Sequence, residues 1–333
     1  MQPAVLPERA GSPFVSVITP VHNEAAHIAE FIAALESRLR GLGLAFEIIA
    51  VDDGSSDDSA QRAFDASASH AVRVIRFSRN FGKEAAMSAG LEFARGDVAV
   101  LIDSDFQHPV EMIDVFLQHW RGGYDMVYGV RESPAAERGW KRASRALFYR
   151  YVGREEGISL PPNAGDFRLL DRKAIDALNR FTERDRMMKG LFAWVGFRQI
   201  GVPYREAARA TGTSRYDLRR LYRLAATGIT SFSALPLQLF GVAGATVSVL
   251  AFLYGIYVVA ETILLGQRLP GWPTLAAALM FFGGLQMLSV AVLGAYISRI
   301  YREVKARPLY IVEQTFGFER PRAVHERRSD IEA

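Results

Sequence analysis

The chain has 333 residues, of which half are hydrophobic, and a formal net charge of +4. This length is enough for one large domain and a further segment. The chain contains no cysteine, which excludes disulfides and thiolate chemistry. Arginines cluster around two long uncharged stretches in the second half, which favours contact with an anionic membrane surface or with phosphate ligands. Residues 1–13 lack a basic segment followed by an apolar core, so no secretory signal peptide is predicted.

Apolar runs alternate with helical patterns in the first part of the chain. This alternation predicts βαβ units and a parallel sheet with right-handed crossovers. The run Val98–Ile102 contains no polar residue, which indicates a strand buried on both faces. The five predicted strands are Phe14–Thr19, Phe46–Val51, Val72–Phe77, Val98–Ile102 and Asp125–Val130.

Polar residues follow the last apolar residue of three of these strands. In open α/β sheets, ligands bind outside the carboxyl ends of the strands. Such clustering at one edge of the sheet therefore predicts a nucleotide site. The first strand is not followed by G-x-G-x-x-G, and the chain has no G-x-x-x-x-G-K-[ST], so dinucleotide and P-loop sites are excluded. The clustered residues are His22, Asn23, Glu24, Asp52, Asp53, Asp103 and Asp105.

The segment Asp103-Ser104-Asp105 is the centre of the predicted site. Two carboxylates one residue apart, with the acceptor Gln107 beyond them, can hold a hard divalent cation that also binds substrate phosphates. The alternative is an acidic loop that caps a helix beginning near Pro109, because D-x-D also occurs by chance.

Basic segments occur later in the chain. Arg138–Tyr151 has a basic and an apolar face, which is typical of a helix in the membrane interface but also of an ordinary surface helix packed on the sheet. Arg205–Tyr216 combines three arginines with Gly and hydroxyl residues, which suits either a mobile loop closing on phosphates or a solvated basic loop. A second amphipathic helix is predicted over residues 216–235. Between these segments, N-A-G-D-F-R-L-L-D-R brings Asp166 and Arg168 back to the site.

Two stretches, residues 237–260 and 274–298, carry no charged residue. Each exceeds the roughly 20 residues that span a bilayer core, and the short Pro/Gly-rich loop between them predicts a two-helix transmembrane hairpin. Arginines flank it on both sides, so both ends are predicted to be cytoplasmic. Most of the tail after about Val312 is predicted to be poorly ordered. The predicted divisions are a tail (1–13), a cytoplasmic domain (14–215), an interface helix (216–235), the hairpin (236–300) and a cytoplasmic C-terminal segment and tail (301–333).

Seven motifs in this order closely resemble the polyprenyl-phosphate glycosyltransferases of glycosyltransferase family 2, which include dolichyl-phosphate mannose synthase and the bactoprenol glucosyltransferases. The resemblance runs from Val15 to about Val312 and implies a glycosyltransferase A-type α/β domain for residues 14–215. It favours the bacterial glucosyltransferase branch. The motifs are P-V-H-N-E, V-D-D-G-S-S-D, S-R-N-F-G-K-E, I-D-S-D-F-Q-H-P, G-D-F-R-L-L-D-R, G-T-S-R-Y and R-I-Y-R-E-V-K-A-R-P.

The resemblance implies roles for individual residues of this chain. Mg²⁺ or Mn²⁺ would be bound by Asp103, Asp105 and Gln107, and the catalytic residues would be Asp166, Asp105 and Arg215. Lipid phosphate or diphosphate would be bound by Arg168, Arg209, Ser214 and Arg215. The nucleotide sugar would be bound by Pro20, His22, Glu24, Asp52, Asp53, Lys83, Ser104 and Arg131.

Three positions depart from the family pattern. Arg215 replaces a usual Lys but keeps its charge, and Val110 replaces a usual Pro. A second Arg normally follows shortly after the position of Arg131, and it is missing here, which removes one expected phosphate contact.

The implied reaction is inverting transfer of a hexose from a nucleoside diphosphate to a polyprenyl phosphate at the bacterial inner membrane. UDP-glucose and undecaprenyl phosphate are the expected substrates; GDP-mannose, a UDP-N-acetylhexosamine and a UDP-aminoarabinose derivative are alternative donors. The resemblance also implies a homo-oligomer, for which a tetramer is one candidate. A processive polysaccharide synthase would carry a Q-x-x-R-W element, which the sequence lacks. A non-catalytic membrane scaffold is the remaining alternative, and it would leave the motifs unexplained.

Overall fold

The computed structural model describes residues 9, 11–67, 71–132, 164–184, 186–205 and 271–318, with scattered positions between 244 and 264. The chain forms two compact units, Met1–Arg215 together with Pro308–Ala333, and Tyr216–Arg307. The predicted interface helices at 138–151 and 216–235 lie outside the described residues.

The first unit is built on a sheet of eight described strands in the order β7-β5-β6-β4-β1-β2-β3-β8. The strands are β1 (Val15–Val21), β2 (Phe46–Asp52), β3 (Val72–Phe77), β4 (Val98–Leu101), β5 (Met126–Arg131), β6 (Ala164–Asp171), β7 (Gln199–Tyr204) and β8 (Val312–Phe316). The helices of this unit are α1 (Ile28–Gly41), α2 (Ser59–Asp65), α3 (Lys83–Phe93), α4 (Met112–Arg121), α5 (Arg172–Asn179) and α6 (Met188–Trp194).

The five strands predicted from the sequence are present, and β4, β1, β2 and β3 are neighbours in parallel register. The predicted α/β class with a parallel sheet is therefore confirmed. The sheet is nevertheless mixed, because β6 runs antiparallel between β4 and β5, and β8 runs antiparallel to β3. The sequence of β6 mixes charged and apolar residues and does not indicate this pairing.

Helices cover both faces of the sheet. On one face, α1, α2 and α4 contribute residues such as Phe31 and Phe116 to an apolar cluster that includes Val17 of β1. On the other face, α3, α5 and α6 pack against a second cluster that includes Ile18. Neighbouring residues of β1 thus point to opposite clusters, as expected for a strand buried on both faces. The predicted burial of Val98–Ile102 is also confirmed, since each of its residues is at most 2% exposed.

The beginning of the C-terminal tail is ordered, whereas residues 319–333 lie outside the described residues, so the expectation that most of the tail is poorly ordered remains a prediction. Residues Val312–Phe316 form the edge strand β8, and the ring of Tyr310 stacks on Phe77 with centroids 4.9 Å apart. The Tyr310 hydroxyl donates to Glu92 Oε2 at 2.6 Å. These apolar and hydrogen-bonded contacts with the sheet and α3 offset the entropy of ordering that the local composition alone could not offset.

The described part of the second unit is dominated by a single helix, α7 (Trp272–Val304, 33 residues). Within it, Phe281–Val304 is long and apolar enough to cross a membrane, with a mean hydropathy of 1.5 and exposed side chains. Apolar residues along it, such as Leu279 and Leu288, are 72% and 53% exposed. The predicted span 274–298 lies within this helix. The described positions between 244 and 264 are helical as well, but no second candidate span is found in the part of the chain described.

Candidate active site

The carboxyl ends of β2, β1 and β4 lie side by side, because these strands are parallel neighbours. The polar residues that follow them therefore meet at one edge of the sheet, as the sequence predicts. His22 Nδ1 lies 3.0 Å from the Asp53 carbonyl, and the Ser104 hydroxyl donates to the Pro20 carbonyl at 3.4 Å. This edge is the candidate active site.

The two carboxylates at the carboxyl end of β2, Asp52 and Asp53, hold neighbouring loops of the site in place by accepting hydrogen bonds. Both oxygens of Asp53 accept backbone N–H groups, from Phe81 at 2.6 Å and from Gly82 at 2.9 Å. Asp52 is 1% exposed, and its Oδ1 accepts from the hydroxyl and the backbone N–H of Ser55. Burial raises the pKa of Asp52, although the bonds from Ser55 oppose the rise. Oδ2 of Asp52 is buried, has no hydrogen-bond partner among the described residues and lies 3.7 Å from Arg76 Nε, so the predicted nucleotide contact of Asp52 remains a prediction.

A glycine makes this arrangement possible. Gly54 has a φ of 64°, and a side chain at this position would collide with the backbone of Arg79. The loop after β2 can therefore lie directly on the loop that precedes α3. This close approach lets Asp53 reach the N–H groups of Phe81 and Gly82 and fixes the start of α3 at the site.

Pairing of β6 with β4 brings Asp166 to the same edge. In the antiparallel register, Leu101 lies opposite Arg168, and continuing it by two residues places Asp103 opposite Asp166. Lys83, the first residue of α3, bridges the two carboxylates. Its Nζ lies 2.7 Å from Asp103 Oδ1, 2.8 Å from Asp103 Oδ2 and 2.9 Å from Asp166 Oδ2.

Electrostatic shifts at this bridge reflect close pairing. Burial alone would raise the pKa of Asp103, but the bond from His108 and the charge of Lys83 lower it to about 2. Burial likewise opposes the charge of Lys83, and the two aspartates reverse this and raise its pKa above the ordinary value. Asp103 and Lys83 are therefore paired in their charged forms near neutral pH. The other oxygen of Asp166, Oδ1, is buried and has no hydrogen-bond partner among the described residues.

The turn after β4 is held by its own residues. Gln107 donates its backbone N–H to Asp105 Oδ1 at 3.1 Å, and Phe106 between them has a φ of 58° and packs edge-on against Phe31. The pKa of Glu24 is raised by burial and further by the charge of Asp105. These two carboxylates thus repel each other across the site, which favours a cation near Asp105.

The residues present fit a divalent cation in the chemistry of their donors. Carboxylate and amide oxygens are ligands of Mg²⁺, which is usually bound by one or two carboxylates together with substrate phosphates. Asp103, Asp105 and Gln107 supply such donors on one short turn. Among the described residues, no group of three or more His, Asp or Glu is arranged to hold a metal. Substrate oxygens would therefore have to complete the coordination.

Arg168 is placed differently from the phosphate ligand that the sequence predicts. It is 3% exposed, its guanidinium lies 3.7 Å from the centroid of the Phe192 ring, and it donates to the Gly165 carbonyl at 2.7 Å. Burial lowers its pKa to about 10, so it remains charged at neutral pH. To bind a lipid phosphate, Arg168 would have to leave this position. Its observed contacts, with the Phe192 ring and the Gly165 carbonyl, stabilise strand β6 in the interior of the protein.

The other predicted basic ligands are described only in part. Arg131 ends β5, where it is exposed and pairs in register with Tyr204 of β7. Arg209, Ser214 and Arg215 lie outside the described residues. Their predicted roles therefore remain predictions.

Two residues of the site were not identified from the sequence. His108 is 5% exposed, stacks on Phe167 with centroids 4.8 Å apart and places Nε2 3.4 Å from Asp103 Oδ2. Glu84 accepts the backbone N–H of Met188 at 2.9 Å, and burial followed by the charge of Asp166 raises its pKa to about 7. Both directly follow predicted site residues, and their position in the motifs was the available signal.

Comparison with known proteins identifies the family of the chain. A profile for glycosyl transferase family 2 matches residues 16–178. An uncharacterized glycosyltransferase of Synechocystis sp. is 41% identical over 306 residues, covering 92% of this chain and 96% of that protein. A prophage-derived bactoprenol glucosyl transferase of Shigella flexneri is 36% identical over 302 residues, covering 90% of this chain and 98% of its own.

Among solved structures, the mannosyl-3-phosphoglycerate synthase of Rubrobacter xylanophilus aligns with a TM-score of 0.46 and 20% identity over 69% of this chain and 75% of that one. The sequence relatives cover nearly the whole chain, and the family profile covers the strands that form the candidate site. The chain therefore belongs to glycosyltransferase family 2, among its polyprenyl-phosphate glycosyltransferases.

Proposed function

We propose that this glycosyltransferase moves a hexose from a nucleoside diphosphate to a polyprenyl phosphate at the cytoplasmic face of the bacterial inner membrane. UDP-glucose and undecaprenyl phosphate are the proposed substrates. Support for this pair comes from relatives named bactoprenol glucosyl transferases, which are 36% identical to this chain over nine tenths of its length. The product would be a lipid-linked sugar that serves as donor for cell-surface glycans.

The observation that carries the proposal is the pairing of Asp103 and Asp166 through Lys83. Lys83 thus links Asp103, in the turn predicted to bind metal and nucleotide, to Asp166, which is predicted to lie beside the reacting carbon. A scaffold protein would have no need for paired, partly buried charges at the carboxyl edge of its sheet, because such groups are costly to desolvate. A transferase needs them to orient two phosphate-bearing substrates.

The proposed reaction is an in-line displacement. An oxygen of the polyprenyl phosphate attacks the anomeric carbon of the sugar, a new carbon–oxygen bond forms, and the bond to the nucleoside diphosphate breaks with inversion. The acceptor phosphate has a second pKa of about 6, by analogy with phosphorylated side chains, and needs no strong general base. Asp166 therefore acts by orienting the acceptor or by stabilising positive charge at the anomeric carbon.

Bound to Asp103, Asp105 and Gln107, Mg²⁺ or Mn²⁺ would neutralise the charge that develops on the departing diphosphate. Lys83 contributes positive charge beside Asp166, at the acceptor side of the site. The turn that carries Asp105 is held by the bond from the Gln107 N–H to Asp105 and by the packing of Phe106 on Phe31. Contacts that are already in place need little reorganisation during the reaction.

The membrane arrangement is part of the proposal. Helix α7 contains a stretch long and apolar enough to span a bilayer, and the described positions between 244 and 264 are helical. We infer a two-span hairpin with both termini in the cytoplasm, because arginines flank both predicted spans. Reporter fusions at Ala333 and at Gly266 test it. They should report opposite sides of the membrane, and a common side would overturn the hairpin.

A donor panel tests the reaction directly. The full chain in detergent is incubated with undecaprenyl phosphate, Mg²⁺ and each of several radiolabelled nucleotide sugars, and the product is extracted into organic solvent. UDP-glucose should give the largest organic-phase signal. A larger signal with GDP-mannose, a UDP-N-acetylhexosamine or a UDP-aminoarabinose derivative would keep the reaction and change the donor. No signal with any donor would overturn the proposed function.

A further inference from the structure

Lys83 occupies the space between two carboxylates of the candidate site. Its Nζ contacts both oxygens of Asp103, at 2.7 and 2.8 Å, and Oδ2 of Asp166 at 2.9 Å. It therefore contacts both of the atoms through which Asp103 could bind a cation. The ammonium group and a metal ion would compete for the same oxygens.

The positive charge of Lys83 offsets the repulsion between the two carboxylates. Asp103 follows the end of β4 and Asp166 lies on the neighbouring strand β6, and one ammonium group contacts both carboxylates, so their like charges are close enough to repel each other. Their side chains are 29% and 18% exposed, so water screens the repulsion only in part. Lys83 relieves it without any bound ion.

The position of Lys83 is fixed by its backbone. It is the first residue of α3, and the preceding Gly82 has a φ of 99° and donates its N–H to Asp53. Asp53 also accepts from Phe81, so the chain entering α3 is held at two successive N–H groups. The ammonium group is thereby directed at the two carboxylates from a rigid element.

We propose that Lys83 is a positioning residue that holds Asp103 against Asp166 in the metal-free site and competes with the divalent cation for Asp103. This inference rests on the proposed function, because it takes Asp103 as a metal ligand. Two carboxylates and one ammonium leave a net charge of −1, and a divalent ion carries twice the charge of the ammonium. Cation binding displaces Lys83 from Asp103 while its contact with Asp166 remains. Lys83 therefore changes partners when the cation binds at Asp103, on the donor side of the site. This change links the donor side to the acceptor side, where Lys83 contacts Asp166.

The test is the affinity for Mn²⁺ alone, measured on the full chain in detergent by the electron paramagnetic resonance signal of free Mn²⁺. Lys83→Met removes the competing ammonium and leaves both oxygens of Asp103 to the ion. Because a hydrogen bond between charged groups is stronger than a neutral one, loss of this competing bond should lower the Mn²⁺ dissociation constant at least about fivefold. This readout does not depend on catalysis.

Two controls separate competition from a general effect of charge. Lys189 is an exposed lysine whose charge acts on Glu84, and Lys189→Met should change the Mn²⁺ dissociation constant by less than about twofold, as expected for a screened surface charge. In an Asp103→Asn background, adding Lys83→Met should give no further tightening, because the contested carboxylate is gone. If Lys83→Met does not fold, Lys83→Gln supports the same comparison.

The outcomes distinguish the inference from the proposed function. Tighter binding in Lys83→Met that disappears with Asp103→Asn supports the competition. Unchanged or weaker Mn²⁺ binding in Lys83→Met, with normal binding by the unmodified protein, overturns the inference and leaves metal use standing. Weaker UDP binding with unchanged Mn²⁺ binding also overturns it and makes Lys83 a diphosphate ligand. If no form of the protein binds Mn²⁺, with or without UDP, both this inference and the divalent cation of the proposed function are overturned.

Discussion

Two acidic strand ends of this protein look alike in sequence and differ in the partners of their carboxylates. After β2, both oxygens of Asp53 accept backbone N–H groups of the loop before α3. After β4, the oxygens of Asp103 contact the side-chain ammonium of Lys83. A backbone donor cannot be exchanged without local unfolding, whereas an ammonium group can be displaced by another cation.

The comparison shows how to separate scaffold from chemistry at a sheet edge. Asp53 is 4% exposed and its hydrogen bonds hold a loop, so its loss should be felt in stability. Asp105 and Asp166 retain oxygens for ligands, and Asp166 Oδ1 has no hydrogen-bond partner within the described residues. Their loss should be felt in activity. The predictions below test this division.

The largest expected effect is on transfer by the metal turn. Asp105→Asn removes a charge that the proposed cation needs, and we expect transfer to fall by about a thousandfold or more. The fold should remain, because Asp105 accepts one bond, from Gln107 N–H, that an amide oxygen can also accept. Initial rates with UDP-glucose and the apparent melting temperature are the measurements. EDTA should mimic the variant, and Mg²⁺ or Mn²⁺ should restore the unmodified protein. Near-normal transfer in the variant would contradict the assignment of Asp105.

The next effect should be on stability at the other strand end. Asp53→Ala leaves the N–H groups of Phe81 and Gly82 without their acceptor, at a cost of about 2–4 kcal/mol. The apparent melting temperature should therefore fall by about 5 °C or more. Asp176→Ala, at an exposed position on α5, is the matched control and should shift it by less than about 2 °C. An unchanged melting temperature in Asp53→Ala would show that Asp53 does not hold the loop.

A smaller effect concerns Glu84 and depends on pH. Its pKa is raised from 4.5 to about 7, chiefly by burial, so the folded protein retains a proton that the unfolded chain has lost. Stability should therefore fall as pH rises from about 4.5 to about 7. Glu84→Gln keeps an acceptor for Met188 N–H and removes this cost, which is about 1–3 kcal/mol above pH 7. The variant should melt higher than the unmodified protein at pH 8, with the difference shrinking toward pH 5. A constant difference across this range would rule out titration of Glu84 as its cause.

Much of the fold could be predicted because local patterns determine it. The central strands are apolar runs buried on both faces, and their polar ends identify the carboxyl edge of the sheet. Helix α1 was also predicted by spacing, since Ile28, Phe31, Ile32 and Leu35 are all buried. These features depend on nearest neighbours in the chain and on the periods of strands and helices.

The features that the sequence does not predict depend on contacts between residues that are distant in the chain. β6 carries charged residues because Asp166 and Arg168 face Lys83 and Phe192, and these partners are set by tertiary pairing. β8 forms because residues near Tyr310 contact Phe77 across more than 200 residues of chain. The bridging role of Lys83 could not be read from its motif either, because it requires the register of β4 with β6.

The most direct test of the central claim is single-turnover transfer of radiolabelled glucose from UDP-glucose to undecaprenyl phosphate by two matched aspartate variants. Asp166→Asn changes the aspartate paired with Asp103 through Lys83, and Asp176→Asn changes an exposed aspartate of α5. Organic-phase product should form at the normal rate with Asp176→Asn and at least about a hundredfold more slowly with Asp166→Asn, because one charged contact at the reacting centre is lost. Transfer at the normal rate by a folded Asp166→Asn protein would contradict the account.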